Sequence, residues 1–464
     1  LFRPAPKSAL SKERIMSKSS GLPCVAVVLG FALSTPVVAA DDATTRYIVH
    51  FDDAMTARAA VSDAVPATRR RRSPSWHRSR LATGGEVMEL TAAEANALAA
   101  SEGVVAVEED RMVTPAGGIV DSLWRRQWYM HDPKVGIDAA VAWVDTRGDG
   151  AVVAVLDTGI TAHPEFDGQL LPGYDFIADA STARDGDARD ADPTDEGDWT
   201  EPGDCGSQRS EPSSWHGTHV AGIVVARAGN VPGIVGVAPE AKLVPVRVMG
   251  RCGGRISDVA DAIVWASGGE VAGIPSRSPV DVINLSLRLP GACGMAMGRA
   301  IAQARSRGTA VVAAAGNDSI SASAVSPANC PGVVSVAALD RDGGMAWYSN
   351  FGNGVTVAAP GGSLRQFGTD DILSSVDAGA RTRQRPVFKY YAGTSMAAPQ
   401  VAGLVALMRS ADPLIGVDEI TTQLVDNARP LPGPCPKGCG AGLIDAGATV
   451  DAVVEDRVLP RPGA

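Results

Sequence analysis

The sequence predicts an α/β fold with a mostly parallel, helix-covered sheet, preceded by a small α+β unit. Two observations carry this. From about residue 119, short and nearly continuous apolar runs alternate with Ala-rich stretches, the pattern of buried parallel strands joined by crossover helices. Before residue 113 the pattern differs: an alternating strand, then a helix, a turn and another strand form a separate short unit. The 464 residues, 45% hydrophobic and 20% charged, suffice for two or three domains with a large core. A net charge of −10 argues against a nucleic-acid binder, whose footprint is basic.

At the N-terminus, Met16 opens MSKSSGLPCVAVVLGFALSTPVVAADD, with Lys18 in a basic head and an apolar run from Cys24 to Leu33. Val38-Ala39-Ala40 supplies the small residues of a cleavage site. Charge, length and cleavage pattern are those of a secretory signal peptide, so residues 1–40 are read as an upstream segment plus that signal. The apolar run is shorter than the ~20 residues of a membrane span, and no membrane association is expected. The expected destination is extracellular, with or without passage through a periplasm. Of seven cysteines, Cys24 leaves with the signal and six remain: Cys205, Cys252, Cys293, Cys330, Cys435 and Cys439. In an exported chain an even number reads as disulfides. Sequence order suggests 205–252, 293–330 and 435–439, although six cysteines allow other pairings.

The small unit begins with RYIVHFDDAMT, which alternates like an edge strand. LTAAEANALAASEGVVAVEEDRMV reads as an amphipathic helix, a turn at Glu102-Gly103 and a strand. Between them ATRRRRSPSWHRSR is strongly basic and aperiodic, an exposed loop. The unit runs from 41 to about 113 and ends at the Thr114-Pro-Ala-Gly-Gly118 junction, giving segments 1–40, 41–118 and 119–464.

In the large segment GAVVAVLDTGI is a strand, HGTHVAGIVVARAG a helix, AKLVPVRVM a strand and ISDVADAIVWASG a helix. VDVINLSL, TAVVAAAGN and VVSVAAL are further strands, with MAMGRAIAQARSRG a helix between the first two. Sites in such folds lie beyond the carboxyl ends of the strands, where Asp157, Ser286 and Asn317 fall. Taken singly, Asp157 reads as a turn acid, Asn317 as a turn residue, and His216 and Ser395 as helix-start residues, with Ser395 a candidate N-cap. Taken together they supply a chemistry. A serine hydroxyl becomes a nucleophile when a histidine accepts its proton, a buried carboxylate fixes the imidazole tautomer, and amide donors receive the developing oxyanion. His219, three residues after His216, is read as structural.

The stretches AVLDTGI, HGTHVAG, AAAGN and GTSMAAPQVAG, in this order, resemble the subtilisin-like serine proteases, across roughly residues 119–450. The resemblance implies a three-layer subtilisin-like fold, with Asp157 as orienting acid, His216 as general base and acid, Ser395 as nucleophile and Asn317 as oxyanion donor. It also implies that 41–118 is an inhibitory, chaperone-like propeptide of ferredoxin-like fold, removed by self-cleavage from a monomeric enzyme. Peptide would lie extended between Ile283–Leu287 and the Cys252-Gly253-Gly254-Arg255 edge. Ser286, Leu287, Arg288, Gly254, Ala314 and Gly316 are the implied substrate-binding residues. The sequence departs from the family where glycines usually follow Ser-Leu and this chain has Arg288-Leu289-Pro290. Two readings of Arg288 stand: solvent exposure, which is preferred, or narrowing of the specificity pocket in favour of acidic groups.

Calcium is the implied ion, held by oxygen ligands. RAGNVPGIVGVAP resembles the family's calcium loop, which makes Asn230, Glu165 and Asp121 candidate ligands. A second candidate is the ARDGDARDADPTDEGDW insertion, where Asp185, Asp187, Asp190 and Asp192 are spaced as in a calcium loop. The expected activity is secreted, broadly degradative peptide hydrolysis. The alternatives are a pseudoenzyme that keeps the fold, or a narrow processing enzyme of the kexin kind, which predicts acidic pockets and an added β-rich domain.

Overall fold

The computed structural model describes residues 45–52, 60–61, 64–65, 77–81, 84–110, 121–364 and 368–458. The signal segment with Cys24, the basic residues 67–76 and the 114–118 junction lie outside the described residues. The chain divides into two compact units, Leu1–Val113 and Thr114–Ala464.

The first unit contains β1 (Thr45–Phe51), β2 (His77–Arg80), β3 (Glu86–Leu90), α1 (Ala92–Ala99) and β4 (Val104–Glu109). The strands form an antiparallel sheet in the order β2-β3-β1-β4. Two sequence expectations are corrected here. The first strand is interior, paired with β3 on one side and β4 on the other. Side-chain alternation reports a half-buried face, whereas pairing uses backbone groups and leaves that period unchanged. The end of the basic stretch, His77–Arg80, is a strand against β3 and not loop. Its partner dictates this, since nothing in HRSR alternates in hydrophobicity. Helix α1 starts on a capping box: Thr91 Oγ1 accepts from Glu94 N, and Glu94 Oε2 accepts from Thr91 N at 2.8 Å. Val49, Met88, Leu90, Ala95 and Leu98 make its core.

The second unit is built on seven strands: β5 (Val152–Asp157), β6 (Tyr174–Asp175), β7 (Lys242–Arg247), β8 (Val282–Leu285), β10 (Ala310–Ala314), β12 (Val334–Leu339) and β13 (Val357–Pro360). A short ribbon pairs β9 (Leu289–Pro290) with β11 (Val325–Ser326), and β14 (Ile372–Asp377) forms a hairpin with β15 (Pro386–Tyr391). The sheet order is β13-β12-β10-β8-β5-β7-β6, and every pairing among the described residues of this sheet is parallel. Helices α2 (His216–Val225), α5 (Thr394–Ala411) and α7 (Ala446–Val458) share one core with Val153 and Val155 of β5. Helices α3 (Ile256–Ala266) and α4 (Met295–Ser306) share the other with Ala154 and Leu156. Both faces of β5 are therefore buried, which is why its sequence is continuously apolar. Helix α6 (Val417–Asp426) follows α5.

The three disulfides are Cys205–Cys252, Cys293–Cys330 and Cys435–Cys439, the pairing that sequence order suggested. The first ties the segment after the acidic insertion to the loop after β7. No helix among the described residues is long and apolar enough to cross a membrane.

Candidate active site

Strand β5 runs apolar until its last residue, Asp157, which is fully buried at the carboxyl end of the sheet. Its Oδ1 accepts from Thr158 N at 2.8 Å and lies 2.8 Å from His216 Nδ1. A carboxylate offers only acceptors, so Nδ1 carries the proton and Nε2 is left as the basic nitrogen. His216 is the first residue of α2, and the bare Gly217 lets that helix start meet the β5 turn: a Cβ there would sit 2.2 Å from the Gly159 carbonyl. The His216 side chain is 22% exposed. Burial lowers its pKa, but the charge and hydrogen bond of Asp157, with Asp198 and Asp195 behind, outweigh this and the net shift is upward. His219 is different. It is buried, stacked on Tyr391 at 4.4 Å, and burial pushes it down to about 3, so it is neutral and structural.

Ser395 lies in α5, whose N-cap is Gly393 and whose first residue is Thr394. One expectation changes. Ser395 is the second helical residue and not the cap. Pro399 is the sixth and lies beyond the first turn, so the Ser395 carbonyl lacks the N–H that residue 399 would normally donate. Ser286, just past β8, donates its hydroxyl to that carbonyl at 2.9 Å. Asn284 Nδ2 donates to the same Ser286 hydroxyl oxygen at 2.9 Å. The missing backbone bond is thereby replaced, and the helix start is anchored to the strand end. The Ser395 hydroxyl makes only a long contact, 3.4 Å, with the Ser286 carbonyl.

Asn317, three residues past β10, is oriented by Thr394: its Oδ1 accepts from Thr394 N at 2.9 Å and Thr394 Oγ1 at 2.7 Å. The amide nitrogen must then face the other way. A Cβ built on Gly393 would lie 3.2 Å from Asn317 Nδ2 and 3.6 Å from Ser395 N. Two N–H donors thus lie beside a small space that a Cβ at residue 393 would crowd.

A groove of about 230 Å³ is lined by Met249, Gly254, Ile256, Leu287, Arg288 and Met297, and Leu287 follows Ser286, whose hydroxyl meets the Ser395 carbonyl. Gly254, Leu287 and Arg288 are therefore brought together as expected. Ala314 is not on it; this residue is buried in the core shared with α5. Gly316 is held between Thr394 Oγ1, which its N–H reaches at 3.1 Å, and Asn350, which leaves no room for a Cβ. Arg288 takes the preferred of the two expected courses: its side chain is exposed to solvent. Its guanidinium lies 3.0 Å from Asp318 Oδ1, an ion pair that neutralises it at the groove edge.

Of the metal candidates, Asp121 accepts from Gly229 N and Asn230 N, so it folds the 229–230 turn around its carboxylate. Glu165 Oε1 accepts from Ile234 N at 3.2 Å, while Glu165 Oε2 and both polar atoms of the Asn230 amide are buried without a partner among the described residues. Burial pushes Glu165 up to about 7. Buried oxygens of this kind cost free energy unless a cation or donor meets them, so Glu165 and Asn230 fit an oxygen-seeking ion. In the insertion, Asp185, Asp187 and Asp190 bring carboxylate oxygens within 4.8 Å of one another, enough to coordinate a metal. Asp192 is left out, its Oδ1 turned back on Thr194 N at 3.1 Å.

Sequence reasoning missed Thr158, Asp195, Asp198 and Thr394, which position the expected residues without resembling catalytic groups. Each is one polar residue among many, and only proximity in space marks it.

The Subtilase family model matches residues 148–445. An extracellular protease of Xanthomonas campestris pv. campestris is 45% identical over 430 residues, covering 88% of this chain and 73% of its own length. An extracellular basic protease of Dichelobacter nodosus is 41% identical over 378 residues, and the match spans 79% of this chain but 61% of that protein. A solved protease of Pseudoalteromonas arctica superposes with a TM-score of 0.71 and 47% identity, covering 73% of this chain and all of its own.

Proposed function

The chain belongs to the subtilase family, and from that premise we infer that Asp157, His216, Ser395 and Asn317 hydrolyse peptide bonds in a secreted serine endopeptidase. The observation that carries this is the space beside Gly393, near which Asn317 Nδ2 and the Ser395 N both lie.

Ser395 Oγ attacks the scissile carbonyl as His216 Nε2 takes its proton. Asp157, hydrogen-bonded at 2.8 Å, holds the ring and stabilises the imidazolium. The carbonyl oxygen becomes an oxyanion in the space beside Gly393, met by the two donors and by the positive end of α5. The tetrahedral species collapses to an acyl group on Ser395 as His216 gives its proton to the leaving amine. Water then repeats the sequence from the other side, with His216 again the base. Substrate backbone lies along Ser286–Leu287 and Gly254, and Arg288, already paired, imposes no net charge, in keeping with broad specificity.

Residues 41–118 act as an inhibitory, chaperone-like propeptide of ferredoxin-like fold that the enzyme removes itself, and the mature enzyme is a monomer. Its partners are its protein and peptide substrates and, before processing, this propeptide. Calcium is held by Glu165, Asn230 and Asp121, and its charge supplies what the buried oxygens lack; Asp185, Asp187 and Asp190 form a second, more exposed set.

Expression of Ser395→Ala should yield uncut precursor with no peptide cleavage, and the wild type should be labelled on Ser395 by an active-serine phosphonate. Serine-dependent cleavage retained in the variant would overturn the assignment. Absence of labelling in the wild type would favour a pseudoenzyme.

A further inference from the structure

One polar link joins the end of the catalytic strand to the helix that carries the base, a second joins the preceding loop to the start of that helix, and neither uses a triad side chain. Thr158, next after Asp157, is 4% exposed; Asp195, in the loop before α2, is 1% exposed. Thr158 Oγ1 lies 2.6 Å from Asp195 Oδ2, and Gly217 N donates to the same Oγ1 at 2.9 Å. A threonine hydroxyl has one proton. Given to the carboxylate, it leaves a lone pair facing the Gly217 N–H. One oxygen therefore ties the residue after Asp157 to the residue after His216, and Asp195 sets its direction.

A second link comes from the same loop. Asp198 accepts from Ser214 N at 2.6 Å and Ser214 Oγ at 2.7 Å, and that Oγ in turn accepts from His216 N at 3.3 Å. Asp195 is itself fixed by Gly197 N at 2.8 Å and by a backbone bond from its own N–H to the Ile160 carbonyl.

We propose that Asp195, with Asp198 as a second arm, is a positioning residue that locks the first turn of α2 and so sets the Asp157–His216 geometry. This rests on the catalytic assignment above. Asp195 also acts through charge. Its neighbours are Asp198, Arg247, His216 and Asp157, with neutral His219 behind the base. Arg247 is committed to Asp175 and Asp185, both at 2.6 Å, and does not pair with Asp195. Burial, with Asp198, pushes Asp195 up to about 7, and its negative charge, when ionised, is among the causes that raise the His216 pKa.

The test uses the self-processed enzyme with active sites counted by phosphonate titration, so that misfolded molecules drop out. Asp195→Asn should lower kcat roughly 10-fold with KM within about 2-fold, the signature of lost alignment and not lost binding. It should also move the acid limb of kcat/KM to lower pH, because a charge favouring the imidazolium is gone. Thr158→Val should lower kcat similarly without moving that limb, and Thr158→Ser should restore it. Wild-type kcat per titrated site in Asp195→Asn, with an unmoved acid limb, would overturn the proposal, as would a loss in Asp195→Asn that Thr158→Val does not share. Ser395→Ala separates the levels: if it is inactive while Asp195→Asn is unaltered, only the positioning role fails; if it is active, the catalytic assignment fails.

Discussion

The starts of α2 and α5 and the 185–192 loop are both crowded with polar groups, yet they are built differently. Around the two helix starts the groups are mostly buried and most have a defined partner: Asp157 on His216, Asn317 on Thr394, Ser286 on the Ser395 carbonyl. In the loop, Asp187 is exposed and most of the acids turn on their own neighbours, as where Asp187 N donates to Asp185 Oδ1 at 3.3 Å; Asp185, paired with buried Arg247, is the exception. The difference teaches that the number of charged residues is a poor guide to function. Burial forces each polar atom to find a partner, and forced partners fix geometry. Solvated carboxylates have water as an alternative and fix little.

If that is right, the cost of a substitution should fall as the site moves from buried to exposed. Ser395→Ala should be the most severe, lowering kcat by a factor on the order of 10⁶, read with a peptide substrate. Asn317→Ala, or Gly393→Ala, which fills the space the donors face, should cost about 10²–10³ in kcat with modest change in KM. If Gly393→Ala retained full activity, the oxyanion would have to be bound elsewhere.

The next effect is one of pH. His216 must be neutral to act as base, and its pKa is shifted upward from 6.5 because the acids around it outweigh burial. The kcat/KM of the wild type should therefore climb with pH through a value above 6.5 and fall off below it. An acid limb below the ordinary histidine value would mean that desolvation prevails.

Smaller effects belong to stability. Chelation of calcium should lower the Tm by a few degrees, corresponding to about 2 kcal/mol, and Asn230→Ala should remove that response. Smallest of all, Asp187→Asn should leave Tm and kcat at the wild-type values in low-micromolar calcium. A strong loss of Tm in that variant would erase the contrast between the buried and exposed acids.

Much of the architecture was legible because burial writes itself into sequence. The apolar run of VVAVLD, the small residues of HGTHVAG and the even cysteines each have one economical reading, and β5, α2 and three disulfides follow. The misses also have reasons. His77–Arg80 became a strand through its partner and not its own pattern. Ser395 looked like a cap because its helix was expected to begin two residues later than it does. Ala314 sits at a strand end, but the register turns its side chain into the core. Arg288 is exposed as preferred, but its partner Asp318, thirty residues away in sequence, left no mark on the local pattern.

The sequence by itself determined the sheet-and-helix order, the chemical types at the strand ends and their assignment to one family, since these depend on local periodicity and on motifs of fixed spacing. Tertiary structure decided the partners: that Thr394 turns the Asn317 amide, that Ser286 stands in for the N–H missing at Pro399, and that Asp195 reaches Thr158 from 37 residues away. Hydrogen-bond direction depends on what lies within about 3 Å in space, and a linear pattern carries no record of that.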